Sequence, residues 1–242
     1  MEGSEVKLLG MWASPFVLRV RIALNLKQVQ YEYLDEIVGT KSELLLQSNP
    51  VHKKVPVLIH AGIPIAESLV IIQYIDDSWA SSGTGPSILP SDPVARAFHR
   101  FWAAYVDEKF FPAMRGTIIA PTEEGRKLAE EHAKTGIQHL EEAFIKLSKG
   151  KAFFGGDHIG FLDIAFGCCL GWVENTEITT GLKLIDEATT PHLAVWAQHF
   201  LQHPAVSAVM PEKEKLLEFS KMLYPKHRAR LLAQMQLPKY YF

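Results

Sequence analysis

Cysteine is almost absent from this sequence, which has only Cys168 and Cys169 among its 242 residues. Because the two are adjacent, an ordinary structural disulfide between them is not expected, and a disulfide-stapled fold is excluded. Both lie in an apolar stretch, so we interpret them as inert core residues rather than reactive thiols. So few cysteines are typical of a reducing compartment, and we expect the cytosol.

A strong net charge and long apolar segments are missing as well. The formal net charge is −2, which gives no general reason to bind nucleic acid or an acidic membrane surface. The longest mostly apolar run, 161–173, contains Asp163 and is too short to span a bilayer. Glu2, Glu5 and Lys7 carry charge where a signal peptide needs an apolar segment, so none is predicted.

The sequence also lacks a metal-binding pattern. Of its ten histidines, His199 and His203 have the i, i+4 spacing that could place two ligands on one helix face. His203 precedes Pro204 at a predicted helix end, however, where a cation suits the helix dipole. We therefore predict no metal site and no cofactor.

Hydrophobic patterning predicts a small α/β unit in residues 1–80. Strands are predicted at 6–10, 31–35, 55–60 and 63–66, and helices at 15–27, 41–47 and 67–79. The order β-α-β-α-β-β-α is that of a thioredoxin-like domain, in which the first two strands are parallel because a helix joins them. The Arg and Lys side chains of the first helix are expected on its open face.

The second half of the chain is predicted to be entirely helical. A stretch rich in Ser, Gly and Pro, 81–90, predicts a linker. We therefore expect two domains, a thioredoxin-like domain at 1–80 and an all-helical domain at 91–242. Helices are predicted at 94–114, 122–149, 161–176, 192–202 and 211–223, with a break at Pro225 before a last helix to 236.

The turn between the first strand and the first helix carries the sequence Trp12-Ala13-Ser14-Pro15-Phe16. Pro15 suits the first helical position, where its missing N–H costs nothing. The Ser14 side chain then lies at the positive end of the helix, where an anion is stabilised. Two interpretations stay open on this stretch alone: Ser14 is a helix cap, or it holds an anionic ligand atom.

Several motifs together resemble the cytosolic glutathione transferases, and in particular the plant tau class. They are Ser14-Pro15-Phe16, Lys41-Ser42-Glu43-Leu44-Leu45, the run from Asn49 to Leu58, and Glu67-Ser68 followed by Tyr74-Ile75-Asp76. The resemblance implies an α/β thioredoxin-like N-terminal domain followed by an all-α domain. It also implies glutathione as co-substrate, and a homodimer in which the hairpin and helix 67–79 face the partner's long helices.

The resemblance assigns the glutathione site residue by residue. Ser14 would stabilise the thiolate, Glu67 would pair with the ligand's ammonium, and Ser68 would bind the γ-glutamyl carboxylate. Val55 would pair with the peptide backbone of glutathione through a cis Val55–Pro56 bond. The cations assigned to the glycine carboxylate are Lys41 and Lys54.

One hydroxyl is sufficient for this chemistry. A free thiol has a pKa near ~8.5, so ionising it at about pH 7 takes roughly 2–3 kcal/mol. A hydrogen bond to a charged acceptor contributes about 1.5–3 kcal/mol, and a helix N-terminus adds roughly 0.3–1 kcal/mol. Ser14 and its helix can therefore supply the whole shift without a general base.

The second substrate is expected in an open apolar pocket against the helical half, which would accept hydrophobic electrophiles such as xenobiotics and lipid peroxidation products. Lys109 stands where the class commonly has Arg. Asp163, with Ile159 before it, is expected to cap the buried helix, although Gly160 lacks the side chain of a full capping box. The pocket residues implied are Trp12, Phe16, Ile37, Tyr105, Lys109, Trp172, Phe219, Leu223 and Lys226.

Two other functions fit the same fold. A thiol–disulfide enzyme needs a cysteine at the first turn, and Ser14-Pro15-Phe16-Val17 contains none. A non-catalytic carrier of hydrophobic molecules such as flavonoids would have a similar pocket and stays open as the alternative. We predict a glutathione transferase, with a peroxidase side activity.

Overall fold

A computed structural model describes residues 6–80 and 85–236. Its first part has a four-stranded sheet in the order β2-β1-β3-β4. β1 and β2 are parallel, as predicted, whereas β3 is antiparallel to both of its neighbours. The elements are β1 (Val6–Gly10), α1 (Pro15–Leu26), β2 (Glu32–Asp35), α2 (Glu43–Ser48), β3 (Val57–His60), β4 (Ile63–Ala66) and α3 (Ser68–Ser78).

The second part is helical throughout. α1 of the first part packs against α7 and α10, so one hydrophobic core extends across both parts. Residues 81–84 of the predicted linker lie outside the described residues, and the domain boundaries stay a prediction. The helices are α4 (Pro93–Tyr105), α5 (Phe111–Ile119), α6 (Glu123–Ser148), α7 (Phe161–Gly167), α8 (Leu170–Thr180), α9 (Pro191–Gln202), α10 (Pro204–Ser207) and α11 (Lys213–Gln236).

The predicted break at Pro225 is wrong, because α11 continues through it. A proline inside a helix leaves the carbonyl at position i−4 without its donor. That residue, Lys221, is exposed, as is Pro225, so water can satisfy the carbonyl. Phe219 and Tyr224 are buried on either side of Lys221, and their packing holds the helix together.

Two other predicted helices are interrupted in the structure. The helix predicted at 94–114 contains a π-helical turn, Val106–Phe110, between α4 and α5. The helix predicted at 161–176 divides into α7 and α8 at Cys168 and Cys169, whose sulfur atoms are 3.7 Å apart. Both cysteines are free and buried.

Two cations of the helix predicted at 15–27 are buried, contrary to the expectation that they lie on an open face: Arg19 within α1 and Lys27 at its C-terminal cap. Arg19 is 0% exposed and Lys27 is 2% exposed. The Lys27 ammonium lies 2.8 Å from an oxygen of Asp76 and donates to the carbonyl of Pro86 at 2.9 Å. Asp76 also accepts from the backbone N–H groups of Ile88 and Leu89, each at 2.9 Å. This buried ion pair attaches the segment before α4 to the first part of the fold.

Asp163 caps α7 as expected. One carboxylate oxygen accepts from the backbone N–H groups of Gly160 and Gly155, each at 2.9 Å. The other accepts from the backbone of Phe154 and from the indole of Trp196, each at 2.8 Å. Asp163 therefore joins the loop before α7 to α9, beyond the single capping contact that the sequence predicts.

Within 6–80 and 85–236, no helix is long and apolar enough to cross a membrane. In the same ranges, no three His, Cys, Asp or Glu side chains come together as a possible metal site.

Candidate active site

Ser14 lies at the N-cap of α1, in the turn that follows β1. Its backbone N–H donates to Met11 at 2.9 Å, and its hydroxyl oxygen accepts from the N–H of Val17 at a long 3.4 Å. Because the oxygen is the acceptor in that contact, the hydroxyl proton is left to donate elsewhere. The carbonyl of the preceding residue, Ala13, accepts from the indole N–H of Trp172 at 2.9 Å, which joins this turn to α8.

A cavity of about 570 Å³ lies between the segment before β3, the start of α3 and the π-helical turn. The Val55–Pro56 bond in its wall is cis, as the resemblance implies. The structure thus brings four of the predicted glutathione-site residues together. The lining residues are Phe16, His52, Lys54, Val55, Pro56, Glu67, Ser68, Leu69, Val70 and Asp107.

Glu67 holds a strained backbone conformation at the edge of this cavity. Its φ is 72°, in a region that residues other than glycine rarely adopt, and such strain costs on the order of 1–3 kcal/mol and concentrates at functional sites. Its exposed carboxylate lies 3.8 Å from His52 Nε2. Ser68 follows as the first residue of α3, so the free N–H groups of that helix face the same region.

Arg19 is a buried link to this site that the sequence did not reveal. Its guanidinium makes two hydrogen bonds to Asp107, at 2.8 and 2.5 Å. It also donates to the Ser68 hydroxyl at 3.2 Å and to the carbonyl of Ala165 at 2.7 Å. One always-charged side chain therefore fixes two cavity residues, Ser68 from α3 and Asp107 from the π-helical turn.

Aromatic side chains form a second region beside Ser14. Trp12 contacts Phe219 edge-on, with ring centroids 5.2 Å apart, and Trp172 lies 6.4 Å from the same ring. The ammonium of Lys215 lies 4.6 Å above the Trp12 ring, a contact that was not predicted. Of the remaining predicted pocket residues on α11, Leu223 packs against the core and Lys226 is exposed.

Tyr105 and Lys109 lie outside the cavity that Phe16 lines. They line a separate groove of about 660 Å³ towards α6, which shares no lining residue with the cavity near Ser14. The Tyr105 hydroxyl lies 2.9 Å from His139 Nδ1. The face of α5 that turns towards Phe16 instead presents Phe111, with ring centroids 5.7 Å apart.

Phe111 and Arg115 repeat the pattern of an aromatic residue and a cation at i, i+4 that Tyr105 and Lys109 also form. The Arg115 guanidinium lies 5.9 Å from the centroid of the Phe111 ring. The i, i+4 spacing of an aromatic residue and a cation therefore fits both pairs equally well. This spacing was the sequence signal that could have identified Phe111 and Arg115, but it does not distinguish them from Tyr105 and Lys109. The π-helical turn, which separates α4 from α5, changes the helix phase between the two pairs.

Ile37 and Lys41 lie on the loop between β2 and α2, away from the other predicted residues. The Ile37 side chain is 72% exposed, and Lys41 is exposed as well. Neither is among the residues that line the cavity at the start of α3, and Ser14 is not among them either, although Phe16, two positions after it, is. Their assigned contacts therefore stay predictions.

Comparison with known proteins places this architecture in a family. Family models for the N-terminal and C-terminal domains of glutathione S-transferase match residues 4–77 and 101–204. The chain is 58% identical over 229 residues to glutathione S-transferase U17 of Arabidopsis thaliana, covering 95% of this chain and 100% of that protein. A tau-class glutathione S-transferase structure from mango is also 58% identical, with a TM-score of 0.87 and coverage of 90% and 98%. The chain belongs to the tau class of the glutathione S-transferase family.

A second similar structure contains bound glutathione. The structure of rice GST1 (OsGSTU1), solved in complex with glutathione, is 37% identical to this chain with a TM-score of 0.83. The match covers 93% of this chain and 99% of the rice chain. The glutathione S-transferase fold expected from the sequence is therefore confirmed.

Proposed function

We propose that this tau-class chain is an enzyme that transfers the thiol of reduced glutathione to hydrophobic electrophiles, with Ser14 stabilising the thiolate. The observation that carries this proposal is the position of Ser14. It lies at the N-terminus of α1, next to the aromatic cluster of Trp12, Trp172 and Phe219. The Ser14 hydroxyl and the α1 dipole both favour a negative charge at this point.

The proposed contacts with the γ-glutamyl end of glutathione follow from the hydrogen bonds of Ser68. Because Arg19 donates to the Ser68 oxygen, the hydroxyl proton is directed away from Arg19 and can donate to a carboxylate. The N-terminus of α3 adds backbone donors at the same place. The ligand's ammonium would meet Glu67 and Asp107, both of which line the cavity.

The rest of glutathione would bind along the segment before β3. The backbone of Val55 would pair with the peptide, and Lys54 would attract the glycine carboxylate. Lys41 stays a candidate for the same carboxylate if its loop moves towards the cavity. The cytosol, where reduced glutathione is supplied and free cysteines persist, is the compartment that we propose.

The electrophile would bind over the cluster of Trp12, Trp172 and Phe219. Leu223 and Lys226 extend this surface along α11, and Phe16 separates it from the glutathione cavity. Phe111 and Arg115 replace Tyr105 and Lys109 in the proposed pocket, because they face Phe16. An open aromatic surface of this kind favours broad selectivity for apolar acceptors over recognition of one substrate.

We expect the purified chain to conjugate glutathione to chlorodinitrobenzene, and S-hexylglutathione to inhibit competitively with glutathione. The hexyl group extends from the sulfur position towards the aromatic cluster, so one compound occupies both subsites. The assay is steady-state absorbance, followed by a co-crystal structure with S-hexylglutathione. Tight binding of S-hexylglutathione without any turnover would instead support the carrier function.

We also propose a homodimer, because large apolar side chains are exposed on each of β4, α3 and α4. Ile63 is 66% exposed, and Phe98 and Phe101 are 51% and 58% exposed. Phe98→Glu should convert the dimer to a monomer, since it places a charge in an apolar contact that the dimer would bury. Light scattering at micromolar concentration measures the change in mass.

Ile178→Glu is the matched control for the dimer. Ile178 on α8 is 49% exposed but lies outside the proposed interface elements. This variant should keep the dimer mass. A wild-type chain that is monomeric at the same concentration would contradict the proposal.

A further inference from the structure

One contact between α5 and α11 is unusual for the pair of residues that forms it. The Nη2 atom of Arg115 lies 2.7 Å from Nδ1 of His227. A guanidinium can only donate hydrogen bonds, so Nδ1 must accept, and the imidazole must be neutral with its proton on Nε2. The distance thus assigns both the charge state and the tautomer of His227.

Arg115 depends on this contact for its orientation. The ion pairs among residues 6–80 and 85–236 include no carboxylate partner for Arg115. Its remaining contact with a ring is with Phe111, which in turn contacts Phe16 at the wall of the glutathione cavity. A change at His227 can therefore reach the proposed electrophile pocket through Arg115 and Phe111.

The surroundings of His227 are cationic. Arg115 faces it from α5 and Arg230 from its own helix, while Tyr224 lies beside Arg115. α8 meets this part of α11 through the uncharged side chain of Asn175, which accepts from the Tyr224 hydroxyl at 3.0 Å. Burial, followed by the charges of Arg115 and Arg230, lowers the pKa of His227.

We propose that His227 is a positioning residue for the electrophile pocket: its neutral imidazole holds Arg115 against Phe111, and protonation releases Arg115. A protonated imidazole loses the acceptor at Nδ1 and places a second cation against the guanidinium. The inference rests on the proposed function, because it concerns how well the second substrate binds. His227 does not line the glutathione cavity, and its path to Phe16 runs through Arg115 and Phe111, so the effect should be larger for the electrophile than for glutathione.

Two variants distinguish the positioning of Arg115 by His227 from a general loss of protein stability. His227→Asn keeps an acceptor oxygen near the place of Nδ1 but does not titrate, whereas His227→Ala has no acceptor at any pH. At about pH 8, the wild type should match His227→Asn, and His227→Ala should have an electrophile KM raised about three- to tenfold. Below the lowered pKa of His227, the wild type should instead approach His227→Ala.

The ratio of wild-type KM to that of His227→Asn is the measured quantity, because ionisation of the glutathione thiol affects both proteins equally. The KM for glutathione should change less with pH than the electrophile KM does. A ratio that stays the same above and below the pKa of His227, as its NMR titration locates it, would overturn the proposal. So would equal electrophile KM values for His227→Asn and His227→Ala.

A second measurement tests the contact without any turnover. The NMR titration of the His227 C2 proton, assigned by its absence in His227→Asn, should give a pKa below the usual range. Arg115→Met should raise that pKa towards its usual value, since it removes the facing cation. An unchanged pKa would overturn the positioning role, whereas absence of conjugation in the wild type would count against the proposed function alone.

Discussion

Ser14→Ala should lower kcat/KM for glutathione conjugation at about pH 7 by about 100-fold, because one charge-assisted hydrogen bond to the thiolate contributes about 1.5–3 kcal/mol. The N-terminus of α1 remains in the variant and supplies the smaller part of the stabilisation. The deficit should shrink as the pH rises. In the variant, the bound thiol ionises near its free pKa of about 8.5, so at about pH 9 both proteins hold mostly thiolate.

The pH profile distinguishes this role from helix capping. Loss of the cap at Val17 would lower the free energy of unfolding by about 1 kcal/mol but would not move the pKa of the thiol. Ser14→Thr keeps the hydroxyl and should retain an acidic thiol. If Ser14→Ala had the wild-type pH profile, Ser14 would be only a cap. A carrier function predicts that binding of apolar ligands survives in Ser14→Ala, whichever profile is found.

The turn around Ser14 could be predicted because its signals are local. Pro15 opens α1, the serine before it caps the helix, and the strand ends at Gly10. A side chain at Gly10 would come within 2.6 Å of Val17, so the close approach of strand and helix requires glycine there. The parallel pairing of β1 with β2 followed from the helix between them.

The buried cations could not be predicted in the same way. Periodicity places Arg19 and Lys27 on a helix, but their burial depends on partners that are distant in sequence. Arg19 meets Asp107, 88 positions away, and Lys27 meets Asp76. A charged residue is rarely buried unless it is paired. A single sequence does not show which carboxylate forms the ion pair with each of these cations.

The sequence does not distinguish between two candidate residue pairs for the electrophile pocket, for a different reason. Tyr105 with Lys109 and Phe111 with Arg115 have the same residue types at the same spacing. The π-helical turn Val106–Phe110 decides which pair faces Phe16, and it depends on tertiary contacts such as that between Arg19 and Asp107. An offset of one residue rotates the side chains by about 100° around the helix axis, which is enough to turn a pair away from Phe16.

Asp163→Ala should lower the free energy of unfolding by about 4 kcal/mol, since three buried N–H donors and the partly buried N–H of Gly155 would lose their acceptor. Denaturant unfolding measures this change. Asp157→Ala is the matched control, because Asp157 lies in the same loop but pairs with Lys151 at the surface, and it should change stability by less than about 0.5 kcal/mol. Equal effects of the two variants would contradict the structural role.

The pH dependence of Asp163 follows from its burial, which raises its pKa to about 6 although the four N–H donors act in the opposite direction. The folded state then binds this proton more tightly than the unfolded state does. The contribution of Asp163 to stability is therefore greatest below about pH 4, where both states are protonated, and falls as the pH rises to about 6. Asp163→Asn cannot ionise, so the difference in unfolding free energy between wild type and Asp163→Asn should decrease over that interval and stay constant above it. A difference that increases from about pH 4 to about pH 6 would show that the four donors outweigh the cost of burying the charge.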